Sequence, residues 1–272
     1  MKLLCGQSIT GSESGMSNDS PAMSLPPPAG APAPWGLLGT ITWGAVGVCA
    51  WFAVQFAVIV AVIFWRDTMA PGSVDMHKMA NDGFLLAFVT ILAAPAWIGV
   101  SVLAARLRKW RARDYLALVP PRRAEIAFGI ASLAALLIGF DLLTLLVGRD
   151  VVPSFMREAY LSARNSGALV LFFIAVVIVA PISEEIAFRG FLFRGLSASW
   201  LGVSGAMILT SAAWAGMHVQ YDAITLAQIF LIGLLLGWIR WASGSTLLTI
   251  MLHVLANLTA CVQAAIKVEW LS

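Results

Sequence analysis

The chain alternates long apolar stretches with short polar segments. Seven stretches rich in aliphatic and aromatic residues lie within residues 35–65, 83–105, 124–147, 168–196, 201–219, 223–239 and 246–266. Several of them reach the roughly 20 residues that an α-helix needs to cross the hydrocarbon core of a bilayer. The pattern therefore predicts an all-α fold, a polytopic membrane helical bundle with about seven transmembrane helices and with eight as the alternative.

The composition excludes an ordinary soluble protein. The chain is 60% hydrophobic and only 11% charged, whereas soluble domains carry about 25% charged residues. In a membrane protein, a net charge of +3 reflects arginines in the loops between spans. We therefore expect the lipid bilayer as a partner, no nucleic-acid partner, and a multi-pass location in a bacterial cytoplasmic (inner) membrane.

Three parts can be distinguished along the chain. Residues 1–34 are polar and then rich in Pro and Ala, which predicts a disordered or extended tail. Residues 35–167 hold the N-terminal transmembrane helices, with a long loop predicted at residues 148–167. Residues 168–272 hold the remaining spans together with the candidate chemistry.

The loop of residues 106–123 carries a cluster of basic side chains. Loops rich in Lys and Arg stay on the cytoplasmic side of a membrane, so we expect this loop to be cytoplasmic. Alternation of the spans then places the N-terminus inside, and residues 220–222 and the C-terminus outside. Binding of anionic lipid is the alternative role. The basic residues are Arg106, Arg108, Lys109, Arg111, Arg113, Arg122 and Arg123.

The fourth apolar stretch contains two adjacent carboxylates and an arginine. A charged residue at the centre of a membrane helix costs about 2.5–3.5 kcal/mol on insertion scales, so it indicates a functional site. Glu185 and Arg189 are spaced i,i+4 and are predicted to pair on one face. Glu184 lies about 100° further round the helix and is left to face a cavity. Pro181 is expected to interrupt this helix.

Two histidines and an asparagine interrupt later apolar stretches. His218 lies in the fifth, and His253 and Asn257 share one face of the seventh. Counted at about 1.5 Å per residue from the predicted cytoplasmic ends, these residues and Glu184 reach depths of roughly 12–22 Å. We therefore predict one composite site inside the membrane. A lone histidine can instead serve as a helix–helix hydrogen-bond partner, but packing does not require all these groups in one place.

These residues resemble the CAAX-protease and bacteriocin-processing family (CPBP, also called Abi) of intramembrane proteases. The family pattern EExxxR, FxxxH and HxxxN is matched by residues 184–189, 214–218 and 253–257, with Trp214 where the family usually has Phe. The resemblance covers roughly residues 168–265. It implies an intramembrane endopeptidase that hydrolyses peptide bonds of membrane-associated or membrane-anchored protein or peptide substrates.

The resemblance also implies a role for each residue. Glu184 and His218 would activate a water molecule for attack on the peptide bond. His253 and Asn257 would bind the oxyanion that develops on the carbonyl oxygen. The Glu185–Arg189 pair would hold the helix that carries the first carboxylate.

A zinc ion is an alternative that the sequence leaves open. Glu184, His218 and His253 would make a set of two histidines and one carboxylate, as in hydrolytic zinc sites. A metal-free glutamate mechanism fits the same residues. It is slightly favoured, because the ligands are far apart in sequence and no HExxH pair lies on one helix.

Two other functions fit a polytopic membrane protein. A non-catalytic immunity or scaffold protein would keep the motifs for structural reasons. A proton-coupled transporter could relay protons through glutamate and histidine side chains, but it would show broken helices in both halves of the chain. The polar residues cluster in the C-terminal half, so the intramembrane endopeptidase is the preferred hypothesis.

Overall fold

The computed structural model describes residues 32–72 and 75–271, except the side chains of residues 77 and 78. Every regular element in these ranges is a helix. The helices are α1 (Leu37–Met69), α2 (Met76–Met79), α3 (Gly83–Leu107), α4 (Ala112–Tyr115), α5 (Arg123–Leu146), α6 (Ser154–Asn165), α7 (Leu169–Ser197), α8 (Gly202–Gly216), α9 (Ala223–Ser243) and α10 (Thr246–Trp270).

The predicted all-α polytopic membrane bundle is confirmed. Within the described ranges, six helices are long and apolar enough to cross a membrane: α1, α3, α5, α7, α9 and α10. The fifth apolar stretch forms only the 15-residue helix α8, about 22 Å long at 1.5 Å per residue. That is shorter than the roughly 30 Å hydrocarbon core. By helix length, the predicted number of seven transmembrane helices is therefore corrected to six. Helix α8 is short because it ends at Gly216, where the chain turns towards α9.

Helix α8 nevertheless keeps the predicted alternation. We call the end of the bundle formed by residues 108–122, 198–201 and 244–246 the basic end, and the end formed by residues 66–82, 147–167, 217–222 and 267–271 the far end. Helix α8 starts beside Leu196 at the basic end. The turn that follows it brings Asp222 to Arg149 at the far end, at 2.6 Å. The short helix and its turn together therefore cross between the two ends.

The predicted loop at residues 148–167 is wrong in one respect, because it contains the amphipathic helix α6. Its buried residues recur at i, i+3, i+4 and i+7 and pack against α3 and α10. At Gly83, the first residue of α3, an added Cβ would collide with the carbonyl oxygen of Ala159. Helix α6 therefore lies directly on α3. The buried residues are Met156, Ala159, Tyr160 and Ala163.

Helix α7 is not interrupted at Pro181, as the sequence predicted, but continues through it. The irregularity takes another form: π-helical segments at Ile174–Val179 and Ile186–Leu192 flank the α-helical segment Ala180–Glu185. A π-helical turn shifts hydrogen bonding from i+4 to i+5, and such turns occur frequently at functional sites. The two glutamates therefore lie on a short α-helical segment between two widened ones.

The part of the N-terminal tail that the structure describes is held by the basic end. The Trp110 indole N–H donates to the Pro32 carbonyl at 2.9 Å, and an Arg108 Nη2–H donates to the Ala33 carbonyl at 2.8 Å. The predicted disorder concerns mainly residues 1–31, which lie outside the described residues, so it stays a prediction.

Candidate active site

A cavity of about 460 Å³ lies among α1, α3 and helices α5 to α10. Glu184, His218, His253 and Asn257 all line it. The structure thus brings together four residues that the sequence placed in one composite site. Glu185 and Arg189 do not line the cavity and lie in the helix packing behind Glu184.

Glu184 is oriented by an indole. Its Oε2 atom accepts a hydrogen bond from Trp214 Nε1 at 2.5 Å and lies 4.0 Å from His253 Nε2. The distance to His253 is longer than a direct hydrogen bond. The Glu184 side chain is 22% exposed, so this carboxylate meets the cavity while one of its oxygens is fixed.

Behind Glu184, one carboxylate oxygen of Glu185 connects α7 to α10. This oxygen, Oε1, accepts from Arg189 Nη1 at 2.7 Å and from His253 Nδ1 at 3.1 Å. The carboxylate and the guanidinium are both completely buried. Arg189 Nη2 also donates to the Gly233 carbonyl of α9 at 3.1 Å, and the guanidinium lies 4.8 Å from the Trp214 ring centroid. A buried charge of either sign therefore has its partner nearby, as burial requires.

Hydrogen bonding sets the tautomer of both histidines. A carbonyl oxygen and a carboxylate can only accept, so the ring nitrogen that faces them must donate. His218 Nδ1 faces the Trp214 carbonyl at 2.9 Å, and His253 Nδ1 faces Glu185. In each ring Nδ1 carries a proton, and Nε2 is the nitrogen left for other chemistry.

His218 lies just beyond α8, in the turn before α9, rather than within the helix. Its ring stacks on Tyr221, with centroids 6.3 Å apart and planes at 17°. Burial raises the pKa of the Tyr221 hydroxyl, so this group stays protonated at neutral pH. Among the described residues, no hydrogen bond or ion pair joins His218 to Glu184; the two share the cavity instead.

The start of α10 is covered by the basic loop. The N-cap residue Ser245 and the first helical residue Thr246 are buried. Ser245 Oγ donates to the Val119 carbonyl at 2.5 Å, and the Thr246 N–H donates to the Ala117 carbonyl at 2.9 Å. These hydrogen bonds fix the helix that carries His253 and Asn257 relative to the loop.

Asn257 ties α10 to the first π-helical segment. One N–H of its amide donates to the Val176 carbonyl at 2.8 Å. The amide carries two N–H donors, so a second donor remains for the cavity. The residue is partly exposed and lines the cavity beside Ala256.

Sequence reasoning missed several polar residues in this site. Trp214 was noticed only as the aromatic residue of its motif, although its indole is a donor to Glu184. Asp141, which belongs to none of the three motifs, accepts from Gln263 Nε2 at 2.7 Å and lines the cavity. Its position as the only charge in the interior of the third apolar stretch, far from Glu125 at the start, was the available signal. Gln55 and Tyr221 are among the other polar residues of the lining, and nothing in the local pattern singles them out.

The side chains as they stand do not form a zinc site. Among the described residues, no group of three His, Cys, Asp or Glu side chains is placed to hold a metal. In both imidazoles Nδ1 donates to an oxygen, which leaves Nε2 as the nitrogen that a metal would use, and His253 Nε2 lies 4.0 Å from Glu184 Oε2. Zinc at Glu184, His218 and His253 stays a hypothesis, which metal analysis of the purified protein can test.

Comparison with known families places this site in context. Residues 166–259 match the family model described as type II CAAX prenyl endopeptidase Rce1-like. This segment is similar to the Rce1-like family. The match confirms the resemblance to the CPBP family, and it contains all three motifs, at residues 184–189, 214–218 and 253–257.

The Rce1-like segment covers α7, α8, α9 and about half of α10. A curated relative, an uncharacterized 24.3 kDa protein of Escherichia coli, is 29% identical over 142 residues. That alignment spans 50% of this chain and 63% of the relative. No solved structure matches the chain. Helices α1–α6 lie outside the matched segment, although Trp97 of α3 stacks on Phe188 within it, with ring centroids 5.7 Å apart.

Proposed function

We propose that the protein is an intramembrane endopeptidase that hydrolyses peptide bonds of membrane-associated polypeptides. The observation that carries the proposal is the common cavity of Glu184, His218, His253 and Asn257, within a segment similar to CAAX prenyl endopeptidases. The six long apolar helices make it an integral, multi-pass membrane protein. We place it in the cytoplasmic membrane of a bacterium, in line with its Escherichia coli relative.

In this proposal Glu184 is the general base. A water molecule in the cavity loses a proton to the carboxylate as its oxygen bonds to the peptide carbonyl carbon. The C–N bond then breaks, and the proton passes from Glu184 to the departing amine. The Trp214 hydrogen bond fixes the second carboxylate oxygen, so that the first one faces the water. Products are a new carboxyl terminus and a new amine.

The two imidazoles and the amide surround the reacting carbonyl. His253 is held by Glu185 through Nδ1, which aims Nε2 towards Glu184. His218 presents its own Nε2, and Asn257 keeps a second N–H. In soluble proteases, one preorganised donor to the oxyanion stabilises the transition state by about 2.7–4 kcal/mol. We assign the second N–H of Asn257 to the oxyanion, together with His253, which can donate from Nε2 only when that nitrogen also carries a proton. His218 orients the water together with Glu184.

The cavity also limits the substrate. A volume of about 460 Å³ accommodates a few residues of extended chain, within the usual range of about 300–1,000 Å³ for ligand pockets. An extended segment exposes its peptide bonds to the base, whereas a helix hides them. The substrate is therefore an unwound part of a membrane-anchored polypeptide. Whether it carries a prenyl group is a separate question.

The test compares wild type with Glu184→Gln in cells and after purification. Glutamine keeps the size of the side chain and cannot take the proton, so cleavage is expected to be lost while the protein stays inserted and folded. A membrane polypeptide that is processed by wild type and accumulates uncut with Glu184→Gln is the substrate. Glu158→Gln is the matched control, because Glu158 lies on α6 away from the cavity. Equal processing by wild type and Glu184→Gln would overturn the proposal.

The same comparison separates the enzyme from a non-catalytic scaffold. An immunity or scaffold protein would keep its cellular function in both Glu184→Gln and His218→Ala. An enzyme would lose it in both, with unchanged amounts of protein in the membrane.

A further inference from the structure

We propose that the cavity opens only at the far end of the bundle, which faces the extracytoplasmic side. The substrate is then the extracytoplasmic juxtamembrane segment of a membrane-anchored polypeptide. The statement about the substrate rests on the proposed function. The statement about which side of the membrane the cavity faces rests on packing and charge alone.

The walls of the cavity come from the far end. Beyond the four candidate residues, they include segments 151–153, 155–156 and 217–221, together with Ala80 and Gln263. All of these lie at or near the far end, whereas no residue of segments 108–122, 198–201 or 244–246 lines the cavity. The opening therefore lies between α6, the turn after α8 and the C-terminal part of α10.

A second, polar cavity continues the first one to the surface. It has a volume of about 320 Å³ and shares Val151, Val152, Pro153, Thr225 and Gln228 with the larger cavity. Its remaining walls carry charges of both signs; they include Arg149, Arg157, Asp150 and Asp222. The path from the far-end surface to Glu184 thus passes from a charged vestibule to a mostly apolar chamber. Such a path suits a substrate polypeptide in which a polar segment is followed by an apolar one.

The basic end is closed by packing. Tyr115 and Leu116 are buried there. Tyr115 packs edge-on against Trp110 and stacks on Phe191, at centroid distances of 5.5 and 5.7 Å. Thr246 Oγ1 donates to the Leu116 carbonyl at 2.6 Å. These contacts fill the space between α4, α7 and α10, so a polypeptide cannot reach Glu184 from this side.

Charge decides which end is cytoplasmic. At the far end, basic groups are matched by carboxylates: Arg66 pairs with Asp82, Arg149 with Asp222, Lys267 with Asp150 and Arg164 with Glu269. At the basic end, the described residues show one ion pair, Arg122–Glu125, within a loop of seven basic side chains. Lys and Arg near the ends of spans keep a loop in the cytoplasm whether or not carboxylates pair with them. Residues 106–123 hold seven Lys and Arg side chains, against three in residues 147–167 at the far end. The opening is therefore on the opposite side.

The test is cysteine labelling in intact cells or spheroplasts, which needs no substrate. In a background with Cys5→Ser, Cys49→Ser and Cys261→Ala, one cysteine is introduced in each variant. Gln220→Cys lies at the opening and Gln228→Cys lines both cavities; Pro120→Cys lies in the basic loop and leaves its charges unchanged. If Cys261→Ala reduces the amount of protein in the membrane, the buried Cys261 is kept in every variant. The parent without an introduced cysteine is then the control for labelling at Cys261.

A membrane-impermeant thiol reagent is expected to label Gln220→Cys and Gln228→Cys in intact cells. Pro120→Cys should react only after permeabilisation. Labelling of Pro120→Cys in intact cells, or protection of either cavity cysteine until permeabilisation, overturns the proposed side. This result is independent of catalysis: a loss of the proposed function would show as equal processing by wild type and Glu184→Gln, with the labelling pattern unchanged.

Discussion

The indole N–H of Trp214 donates to the Oε2 atom of Glu184 at 2.5 Å. The ring is also enclosed by charged and polarisable groups: the His253 and His218 imidazoles lie 5.0 and 5.4 Å from its centroid, and the Arg189 guanidinium lies 4.8 Å away. A phenylalanine, which the CPBP pattern usually has at this position, would keep the packing but lack the donor. In this chain the aromatic residue of the second motif therefore positions the candidate base.

Replacing Trp214 with Phe is expected to lower the cleavage rate about tenfold, which corresponds to about 1.4 kcal/mol of transition-state stabilisation. The reason is that one Glu184 oxygen loses its fixed partner. kcat should fall while KM stays close to the wild-type value, because the donor contacts the base and not the bound peptide. The measurement is kcat and KM on the substrate identified by trapping. Trp214→Ala is the contrast, since it also costs about 3–5 kcal/mol of stability. An unchanged kcat in Trp214→Phe would contradict this role.

The buried pair of Glu185 and Arg189 is expected to be much more important for stability than for proton transfer. Arg189→Met leaves a carboxylate buried with no cation, which costs about 3–5 kcal/mol. The thermal midpoint of the protein in detergent should fall sharply. The double variant Glu185→Gln with Arg189→Met should recover most of that loss, because it removes both charges and leaves an amide oxygen for His253. If the double variant is as unstable as the single one, the charge explanation is wrong.

Asp222 caps α9 at the far end and should give it a pH-dependent stability. Its Oδ1 atom accepts from the backbone N–H groups of Ile224 and Thr225. The Thr225 hydrogen bond, together with the Arg149 charge, lowers the pKa of the Asp222 carboxyl below its usual value. A lowered folded-state pKa means that the stabilisation is complete above the unfolded value of about 3.9 and is lost as the pH falls through the folded one.

Two substitutions separate the cap from the charge at this position. Asp222→Ala is expected to cost about 1 kcal/mol at pH 7, since it removes the cap. Asp222→Asn keeps a capping oxygen and loses the charge with its exposed ion pair, so at pH 7 it should cost less than Asp222→Ala. Thermal melts at pH 7 and at a pH of about 3, below the unfolded-state pKa, measure both effects. The difference between wild type and Asp222→Asn should shrink at the lower pH; a difference that grows would contradict a lowered pKa of the Asp222 carboxyl.

Gly83 is expected to tolerate no side chain. A Cβ there would collide with the Ala159 carbonyl and press on Ala163, so Gly83→Ala should cost about 1–3 kcal/mol by overpacking. Because α6 carries Phe155 and Met156 in the cavity wall, the cleavage rate should fall as well. Gly99→Ala on the same helix is the matched control: its Cβ meets nothing within 4 Å, and alanine favours the helix by about 0.5–1 kcal/mol. Equal stability of the two variants would show that α6 can move away from α3.

The span boundaries followed closely from the sequence. Helices α3, α5 and α9 begin within one residue of the predicted positions, since their apolar stretches start abruptly after polar or charged residues. The local sequence pattern did not predict helix α6, because its mixture of polar and apolar residues is also typical of a loop. Its apolar face becomes evident only from its packing against α3 and α10. The local pattern also failed at Pro181, because two π-helical segments accommodate the proline without a break.

The sequence by itself determined the membrane-spanning character, the basic loop and the chemical types in the candidate site. These follow from residue identity and from spacing along one chain. Only the tertiary structure decided that His253 and Arg189 share one Glu185 oxygen, that Trp214 orients Glu184, and that the cavity is lined from the end opposite the basic loop. Each of these depends on the depth and rotation of neighbouring helices. Packing between helices sets both, and the periodicity of a single helix carries no information about them.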